Sequence, residues 1–231
     1  MNIPYLDASI KKAVVAIFDK KKAVLATHDS NFHTDDVFAS AMLKTFFQFA
    51  DRTCKVTVTR NPVDSPKLKT ADIVYDIGRI YDPKTLRFDH HQSGGADTYT
   101  NGIKFSSIGL IWKHFGVSIC ALYTESITGK LPSKKTAEAQ ALIVEKEVIR
   151  SIDAMDNGQL THTLTFDETD LLTIDKYVFM CKVGTASQGG SIEEKQKNLD
   201  KTFFEVVKLV EGMIGRILTY AVYKEQDSVS A

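Results

Sequence analysis

The chain has 231 residues, of which 43% are hydrophobic and 25% are charged, and its formal net charge is zero. This composition is typical of a globular protein with one core of domain size. A zero net charge excludes a global basic field, so any nucleic-acid binding has to come from a local patch or a metal site. The three cysteines are far apart and form no CxxC pair, which argues against a disulfide framework and a zinc ribbon.

No apolar run reaches the roughly 18–20 residues of a membrane span. The N-terminus lacks the pattern of a signal or transit peptide. We therefore expect a cytoplasmic protein without a membrane partner, and three separated thiols fit a reducing compartment.

Strands and helices alternate along the first part of the chain. Residues 23–28 form a short apolar run typical of a buried strand, and residues 35–50 have helical spacing with acids at the start. Residues 54–60 are rich in β-branched side chains, which favours a strand. Two further strands are predicted, at 71–78 and at 86–89 after a turn.

Helices dominate the rest of the chain. We predict a helix at 106–116 that ends at a glycine, and a long helix at 133–158 that ends at Asn-Gly. Residues 184–197 are typical of a flexible linker, and residues 199–226 of an amphipathic helix that packs on the domain or on a partner. The alternation predicts an α/β domain with a mainly parallel sheet.

Polar side chains of the metal-binding type follow three of the predicted strands. His28 ends the first strand, Asp76 follows the third, and Asp89, His90 and His91 follow the fourth. The carboxyl ends of parallel strands meet at one edge of a sheet, where ligands bind. Further candidates near the first strand or at the end of the long helix are His33, Asp35, Asp36, Asp153 and Asp156.

The residue types indicate the chemistry. Imidazoles and carboxylates without thiolates suit Mn²⁺, Mg²⁺, Fe or Zn. The set is larger than one ion needs, and a pair of ions about 3.5–4 Å apart would use all of it. Such a pair lowers the pKa of a shared water, orients a phosphate and stabilises the leaving oxygen. Without metal, so many carboxylates would repel one another and raise one another's pKa.

Each motif alone also has an ordinary structural explanation. His28 alone suits a loop, the acids after His33 suit a helix N-terminus, and Asp76 alone suits an Asx turn. Trp112 and Phe115 at helical spacing are more typical of a core than of a base-stacking platform. Only the combination and order of the motifs favour the metal site.

The order of motifs resembles the DHH phosphoesterase superfamily, and most of all its branch of melanocyte proliferating gene (Myg-type) exonucleases. The resemblance covers roughly residues 23–158 and rests on the stretches ATHDSNFHTDDVFASAML, VYDIG, FDHHQ, GIKFSSIGLIWKHFG and IDAMDNG. It implies the α/β fold of that superfamily, a mainly parallel sheet flanked by helices, here with a helical C-terminal extension.

The resemblance also implies roles for individual residues. The implied metal ligands are His28, His33, Asp35, Asp76, His90 and either Asp153 or Asp156. Asp76 would bridge two ions, and the position at the helix end favours Asp156 over Asp153. His91 would face the substrate, and Asp89 would fix an imidazole tautomer by accepting a hydrogen bond.

Candidate substrate contacts lie beside these motifs. Ser107, preceded by Ser106, stands at a helix N-terminus, which can bind a phosphate but which serine also caps in many proteins. Lys104 would either meet a phosphate or be solvated. Gly94 and Gly95 would supply flexible backbone near the metals or only a turn.

The predicted phosphoesterase domain spans residues 1–160, and residues 161–231 would form a linker and a helical segment, a partial or reduced second domain. Relatives carry a larger second domain with a glycine-rich motif that we do not find after residue 160. We therefore expect a short or truncated member. The second histidine of the first motif departs from the wider superfamily and leaves the metal preference open.

The resemblance implies a hydrolase that uses two Mn²⁺ or Mg²⁺ ions to activate water. The expected activity is that of a 3'-5' exonuclease on RNA or short oligonucleotides. Two alternatives stay open: hydrolysis of pyrophosphate or another small phosphate ester, and a non-catalytic metal-binding protein whose C-terminal helix docks a partner. The same helix is the candidate interface of a homodimer.

Overall fold

The computed structural model describes residues 3–159, 172–186 and 189–230. Its centre is a five-stranded sheet in the order β2-β1-β3-β5-β4. The strands are β1 (Lys22–His28), β2 (Lys55–Asn61), β3 (Ile73–Tyr75), β4 (Tyr81–Asp82) and β5 (Arg87–Phe88). Neighbouring strands pair in parallel except at the edge, where β4 runs antiparallel to β5.

Helices flank this sheet and form the C-terminal extension. They are α1 (Ala8–Asp19), α2 (Thr34–Ala50), α3 (Lys67–Thr70), α4 (Ser107–Thr128), α5 (Lys134–Val144), α6 (Arg150–Asp156), α7 (Ile174–Ala186) and α8 (Ile192–Ser230). A π-helical segment, Glu145–Ile149, joins α5 to α6. The predicted α/β class with a mainly parallel sheet is confirmed.

Most of the core lies on one face of the sheet. Leu25 of β1 and Phe88 of β5 belong to the main core cluster, and the ring of Phe88 lies 6.0 Å from that of Phe115 in α4. Ala26 and Val74 point to the opposite face and belong to a separate small cluster. This separation is the period-two alternation of β-strands.

The helix predicted at 199–226 is confirmed, and it is longer at both ends. It packs against α2, α5 and α7 of the same chain. Its buried face includes Phe203, Val207, Val210, Ile214 and Leu218. Of the two locations that the sequence left open for this apolar face, the structure places it on the domain.

The predicted flexible linker at 184–197 is wrong for most of the described residues there. The helix α7 continues to Ala186, and α8 begins at Ile192. The hydroxyl of Ser191 accepts a hydrogen bond from the backbone N–H of Glu194 at 3.1 Å, and the Glu194 carboxylate accepts one from the backbone N–H of Ser191 at 3.0 Å. This S-x-x-E capping box starts a helix.

Two other helices differ from the prediction. The helix α1 was not predicted, although Ile10, Val14 and Phe18 follow helical spacing and are buried. The helix predicted to stop at Gly116 continues to Thr128 and ends at Gly129, whose φ of 72° is left-handed. Gly116 is an interior position of α4.

The long helix predicted at 133–158 is helical from Lys134 to Asp156, but it contains the π segment that the sequence pattern did not predict. The boundary predicted between residues 160 and 161 lies outside the described residues. No helix in the described ranges is long and apolar enough to span a membrane.

The packing around Gly116 generates a prediction. A Cβ atom at this position would lie 2.7 Å from the ring of Trp112. We expect Gly116→Ala to lower the free energy of unfolding by about 1–3 kcal/mol, because an overpacked core has to shift side chains or backbone. Urea unfolding measures this change.

The matched control is Gly212→Ala in α8, where a Cβ atom would meet nothing within 4 Å. This exchange should raise the free energy of unfolding by about 0.5–1 kcal/mol, since alanine favours the helix. Equal effects of the two exchanges would contradict the packing argument.

Candidate metal centre

Six chain segments meet at the carboxyl edge of the parallel strands. Strand β1 ends at His28, while Asp76 and Asp89 follow directly after β3 and β5. The first turns of α2 and α4 and the last turn of α6 face the same place, because their side chains contact the same carboxylates. The edge therefore collects polar groups that are far apart in the sequence.

Asp76 lies between two imidazoles. Its Oδ2 is 3.0 Å from Nε2 of His28, and its Oδ1 is 3.3 Å from Nε2 of His90. The hydroxyl of Ser107 donates to Oδ1 at 3.1 Å. Burial alone would raise the pKa of Asp76, but the hydrogen bonds and charges of both histidines outweigh it and hold the pKa below the usual range. Each carboxylate oxygen thus faces a different part of the site.

The backbone at Asp76 is unusual for a residue with a side chain. Its φ is +57°, in the left-handed region, which explains why β3 ends at Tyr75 instead of continuing to residue 78 as predicted. Such a conformation is sparsely populated outside glycine and persists where the surroundings enforce it. The turn directs the Asp76 carboxylate into the cluster.

Two adjacent acids of α2 complete the interior of the cluster. Asp35 and Asp36 are both fully buried. Burial raises the pKa of Asp36 to about 7, against the opposing charge of His28. Burial and the charges of Asp76 and Asp156 raise the pKa of Asp35 well above its usual value. These carboxylates lack enough cationic partners among the described residues to be stable as anions.

The two histidines of the FDHHQ stretch, His90 and His91, have different surroundings. Nε2 of His90 is buried and lies 3.2 Å from Oδ2 of Asp156. His91 is 56% exposed, and its Nδ1 lies 2.7 Å from Oδ1 of Asp89. The Asp89 carboxylate also accepts hydrogen bonds from the backbone N–H groups of His91 and Arg79. Asp89 therefore fixes the ring of His91 and leaves its Nε2 toward solvent.

The donor set fits a divalent cation. Within the described ranges, three buried atoms of the cluster lack a hydrogen bond of good geometry: Oδ1 of Asp35, Oδ2 of Asp36 and Nε2 of His90, the last of which only approaches the oxygens of Asp76 and Asp156 at 3.3 and 3.2 Å. Buried polar atoms are normally satisfied, and imidazole nitrogens and carboxylate oxygens are ligands of Mn²⁺, Mg²⁺ and Zn²⁺. Among the described residues there are three groups, here called metal-type groups, in each of which the candidate ligand atoms lie within 4.8 Å of one another. They are Asp76 with His90 and His91, His28 with Asp36 and Asp76, and His33 with Asp35 and Asp156.

The structure brings most of the predicted ligands together. His28, His33, Asp35, Asp76, His90 and Asp156 all belong to these groups. Asp36 belongs to them as well, although we did not count it among the ligands. The HTDD stretch contained the signal, since residues 33 and 36 lie on one side of a helix N-terminus, and the backbone N–H of His33 donates to Oδ1 of Asp36 at 2.9 Å.

Asp153 lies outside the metal-type groups. Its Oδ1 accepts hydrogen bonds from the backbone and hydroxyl of Ser106 and from the backbone of Gly109, and its Oδ2 accepts one from the hydroxyl of Tyr99. Both oxygens are thus occupied in a buried network that joins α6 to the start of α4. Of the two carboxylates left open by the sequence, only Asp156 has metal-ligand spacing to other ligands.

The predicted substrate contacts are Ser107, Lys104, Gly94 and Gly95, and none of them lines the cavity beside His28, Asp76 and His91. Ser107 is fully buried, and its hydroxyl is occupied by Asp76. Lys104 is exposed, and its backbone N–H donates to the side chain of Gln159. Gly94 and Gly95 have left-handed φ values of 86° and 76° in a turn after the histidines. Of these four residues, Ser107 is the one that hydrogen-bonds to the cluster in the described part of the chain: its hydroxyl donates to Asp76 and its backbone N–H to Asp35.

A buried arginine braces the loop between His28 and His33. The side chain of Arg60 is 1% exposed. Its Nε donates to the backbone carbonyl of His28 at 3.1 Å, and its Nη2 donates to that of Ser30. Its Nη1 pairs with Oδ1 of Asp200 in α8 at 2.5 Å. The C-terminal helix is thereby connected to the first metal motif.

Other contacts reinforce this connection. The guanidinium of Arg60 lies 4.8 Å from the ring centre of Phe203 and 5.7 Å from that of Phe32. The side chain of Gln196 donates to the backbone carbonyl of Asp29. In α7, Lys182 donates to the carbonyl of Phe32 at 2.8 Å. Both C-terminal helices therefore hold the loop that carries the first ligands.

The fold and the site together define an α/β protein with a carboxylate–histidine centre suited to divalent cations. Residues 24–230 match the family model MYG1_exonuc, described as "Uncharacterised protein family (UPF0160)". The chain belongs to this family, which confirms the Myg-type resemblance.

Curated relatives agree with this membership. The chain is 32% identical over 146 residues to the MYG1 exonuclease of Homo sapiens, covering 58% of this chain and 35% of the relative. It is 33% identical over 161 residues to a MYG1 protein of Saccharomyces cerevisiae, covering 69% and 44%, and 34% identical over 142 residues to one of Caenorhabditis elegans, covering 59% and 39%. The matched part is thus less than half of each relative's length. No solved structure matches the chain.

The raised pKa values predict how the metal-free protein responds to pH. Asp36 keeps its proton up to about pH 7 when folded but loses it near pH 4 when unfolded. The folded state therefore binds more protons between these values, so stability falls as the pH rises. Burial lowers the pKa of His28, but the hydrogen bond and charge of Asp76 and the charge of Asp36 outweigh it and raise the pKa. This raised pKa also makes the stability fall as the pH rises above 6.5. We expect the EDTA-treated protein to melt at a lower temperature at pH 8 than at pH 6.

Differential scanning fluorimetry measures this difference. Saturating Mn²⁺ should raise the melting temperature and reduce the pH difference, because the metal favours the ionised ligands. Asp36→Asn should also reduce the difference in the metal-free protein, since the amide does not titrate. A variant that keeps the full difference would contradict the assignment to Asp36.

The brace around Arg60 predicts an effect of α8 on metal affinity. We expect Asp200→Asn to weaken Mn²⁺ binding by about tenfold, the range for residues that orient a ligand loop. The control is Glu211→Gln, which removes the ion pair of α8 with Lys44 and should leave the affinity unchanged. Isothermal titration calorimetry compares the variants, and equal affinities would refute the connection.

Proposed function

We propose that the chain is a divalent-metal-dependent phosphoesterase that acts as a 3'-5' exonuclease on RNA or short oligonucleotides. One observation carries the proposal: Asp76 is shared between two metal-type groups, and each group contains one buried ligand atom, Oδ2 of Asp36 or Nε2 of His90, without a hydrogen bond of good geometry among the described residues. Membership of the MYG1 family supports it, since the human, mouse, cattle and rat relatives are named MYG1 exonuclease. Cytoplasmic location and a homodimer through α8 stay predictions.

The cluster has the donor set for two Mn²⁺ or Mg²⁺ ions. Asp76 would be shared between them, His28 and Asp36 would bind on one side, and His90 on the other. The third group, His33, Asp35 and Asp156, would complete the ligand set. Bound ions would supply positive charge at the phosphate and a water of lowered pKa.

The chain's own residues supply orientation and a proton. Asp89 accepts a hydrogen bond from Nδ1 of His91, which directs Nε2 to the open side. The hydrogen bond that His91 donates to Asp89 raises the pKa of His91, against burial. The protonated His91 donates to the leaving oxygen as the ester bond breaks. Ser107 holds Asp76 in place through its hydrogen bond.

The proposal predicts the effect of removing the shared carboxylate charge. We expect Asp76→Asn to lower the rate of hydrolysis of a short labelled RNA in Mn²⁺ by at least about a hundredfold, because ligands and charge stabilisation are lost together. Asp19→Ala, an exposed acid at the end of α1, is the control and should keep the wild-type rate. Gel analysis of the products also reports the direction of cleavage.

The same assay separates the two alternatives. Equal rates for wild type and Asp76→Asn would reject the mechanism. Hydrolysis of pyrophosphate alone would favour a small-molecule hydrolase. Retained Mn²⁺ without turnover of any phosphate ester would favour a non-catalytic metal-binding protein.

A further inference from the structure

A cavity of about 540 Å³ opens directly beside the metal-type cluster. It is the approach to Asp76 and to the exposed ring of His91. Besides the ligands, the cavity is lined by residues of the loops after β1, β2 and β3: Asp29, Ser30, Pro62, Val63, Ile77, Gly78 and Arg79. None of these residues was a sequence-based candidate, and none belongs to the metal-type groups, although the hydroxyl of Ser30 lies 3.0 Å from Nδ1 of the candidate ligand His28.

Arg79 is the one lysine or arginine among the described lining residues. It is exposed, and its guanidinium makes no hydrogen bond or ion pair with the described part of the chain. Its position is nevertheless fixed, because its backbone N–H donates to Oδ2 of Asp89. Its φ of +57° is left-handed, as is that of Asp76 three residues before it. The loop thus presents an unpaired cation on the same turn as the shared carboxylate.

The rest of the lining offers an apolar surface. Val63 is 70% exposed, although it is a large hydrophobic residue, and Pro62 precedes it in the loop after β2. Ile77 lies between the shared carboxylate Asp76 and Gly78, and it is largely buried. An exposed apolar side chain beside polar groups is typical of a ligand site.

We propose that this cavity is a nucleotide subsite, in which Arg79 binds a phosphate of the substrate and Pro62 and Val63 support its nucleoside. The inference rests on the proposed phosphoesterase function and specifies its substrate class. A planar guanidinium suits bidentate binding of phosphate oxygens. Inorganic pyrophosphate has no group that would use the apolar surface, so the subsite favours a nucleoside phosphodiester.

Arg79 and Val63 are therefore specificity-determining residues, distinct from the metal ligands. Lys104 and Ser107, which the sequence indicated as substrate contacts, do not line this cavity. An arginine positioned by its backbone can select the substrate without altering the ions. Substrate affinity and metal affinity should respond separately to mutation.

The test compares Arg79→Ala and Val63→Ser with wild type on two substrates in Mn²⁺, an RNA dinucleotide and inorganic pyrophosphate. We expect Arg79→Ala to raise the KM for the dinucleotide by at least about tenfold, because charged hydrogen bonds to the phosphate are lost, with a smaller change in kcat. Val63→Ser should raise the KM for the dinucleotide about threefold and leave pyrophosphate hydrolysis unchanged. The control Arg52→Ala removes an exposed arginine outside the cavity.

A binding measurement separates failure of the subsite from failure of the proposed function. Calorimetry with a hydrolysis-resistant phosphorothioate dinucleotide should show the same order of affinities, while Mn²⁺ affinity stays at the wild-type value in all variants. Unchanged dinucleotide affinity in both Arg79→Ala and Val63→Ser overturns the subsite. Wild-type binding without hydrolysis of either substrate overturns the phosphoesterase and leaves the subsite supported.

Discussion

The shared carboxylate of Asp76 is the constraint around which the site is arranged. It faces His28 with one oxygen and His90 with the other, in a place where burial would otherwise favour its neutral form. Asp35 and Asp36 lie in the same interior, where burial and the neighbouring carboxylates raise their pKa and favour their protonated forms. The arrangement thus disfavours ionised carboxylates in the protein alone, and its donor set is consistent with a divalent cation.

The scaffold holds this arrangement from several directions. The parallel strands place His28, Asp76 and the FDHHQ stretch at one edge of the sheet, and the first turns of α2 and α4 lie at the same edge. The brace through Arg60 extends the support to α7 and α8, so the C-terminal segment is part of the site's architecture and not a separate appendage. The guanidinium of Arg60 is buried, whereas its partner Asp200 is partly exposed, so loss of Asp200 would leave a buried cation with fewer partners.

Much of the fold and of the candidate site could be predicted from the sequence. Alternating apolar runs marked β1, β2 and the apolar core of α8, and the spacing of acids and histidines marked the strand ends. Helix boundaries predicted from the sequence were wrong where a local signal conflicted with packing or capping. Gly116 resembles a helix stop, but tight packing against Trp112 requires it inside α4. The glycine- and serine-rich stretch before α8 resembles a linker, but a capping box starts the helix within it.

The sequence by itself determined the class of fold and the types of ligand, because hydrophobic periodicity and side-chain chemistry are local properties. Only the tertiary structure decided which groups share a site. Asp153 and Asp156 are three residues apart on the same helix, yet one is enclosed by hydrogen bonds from Ser106 and Tyr99 while the other lies beside His90. That choice depends on neighbours distant in the chain, and so does the place of Arg79 at the cavity.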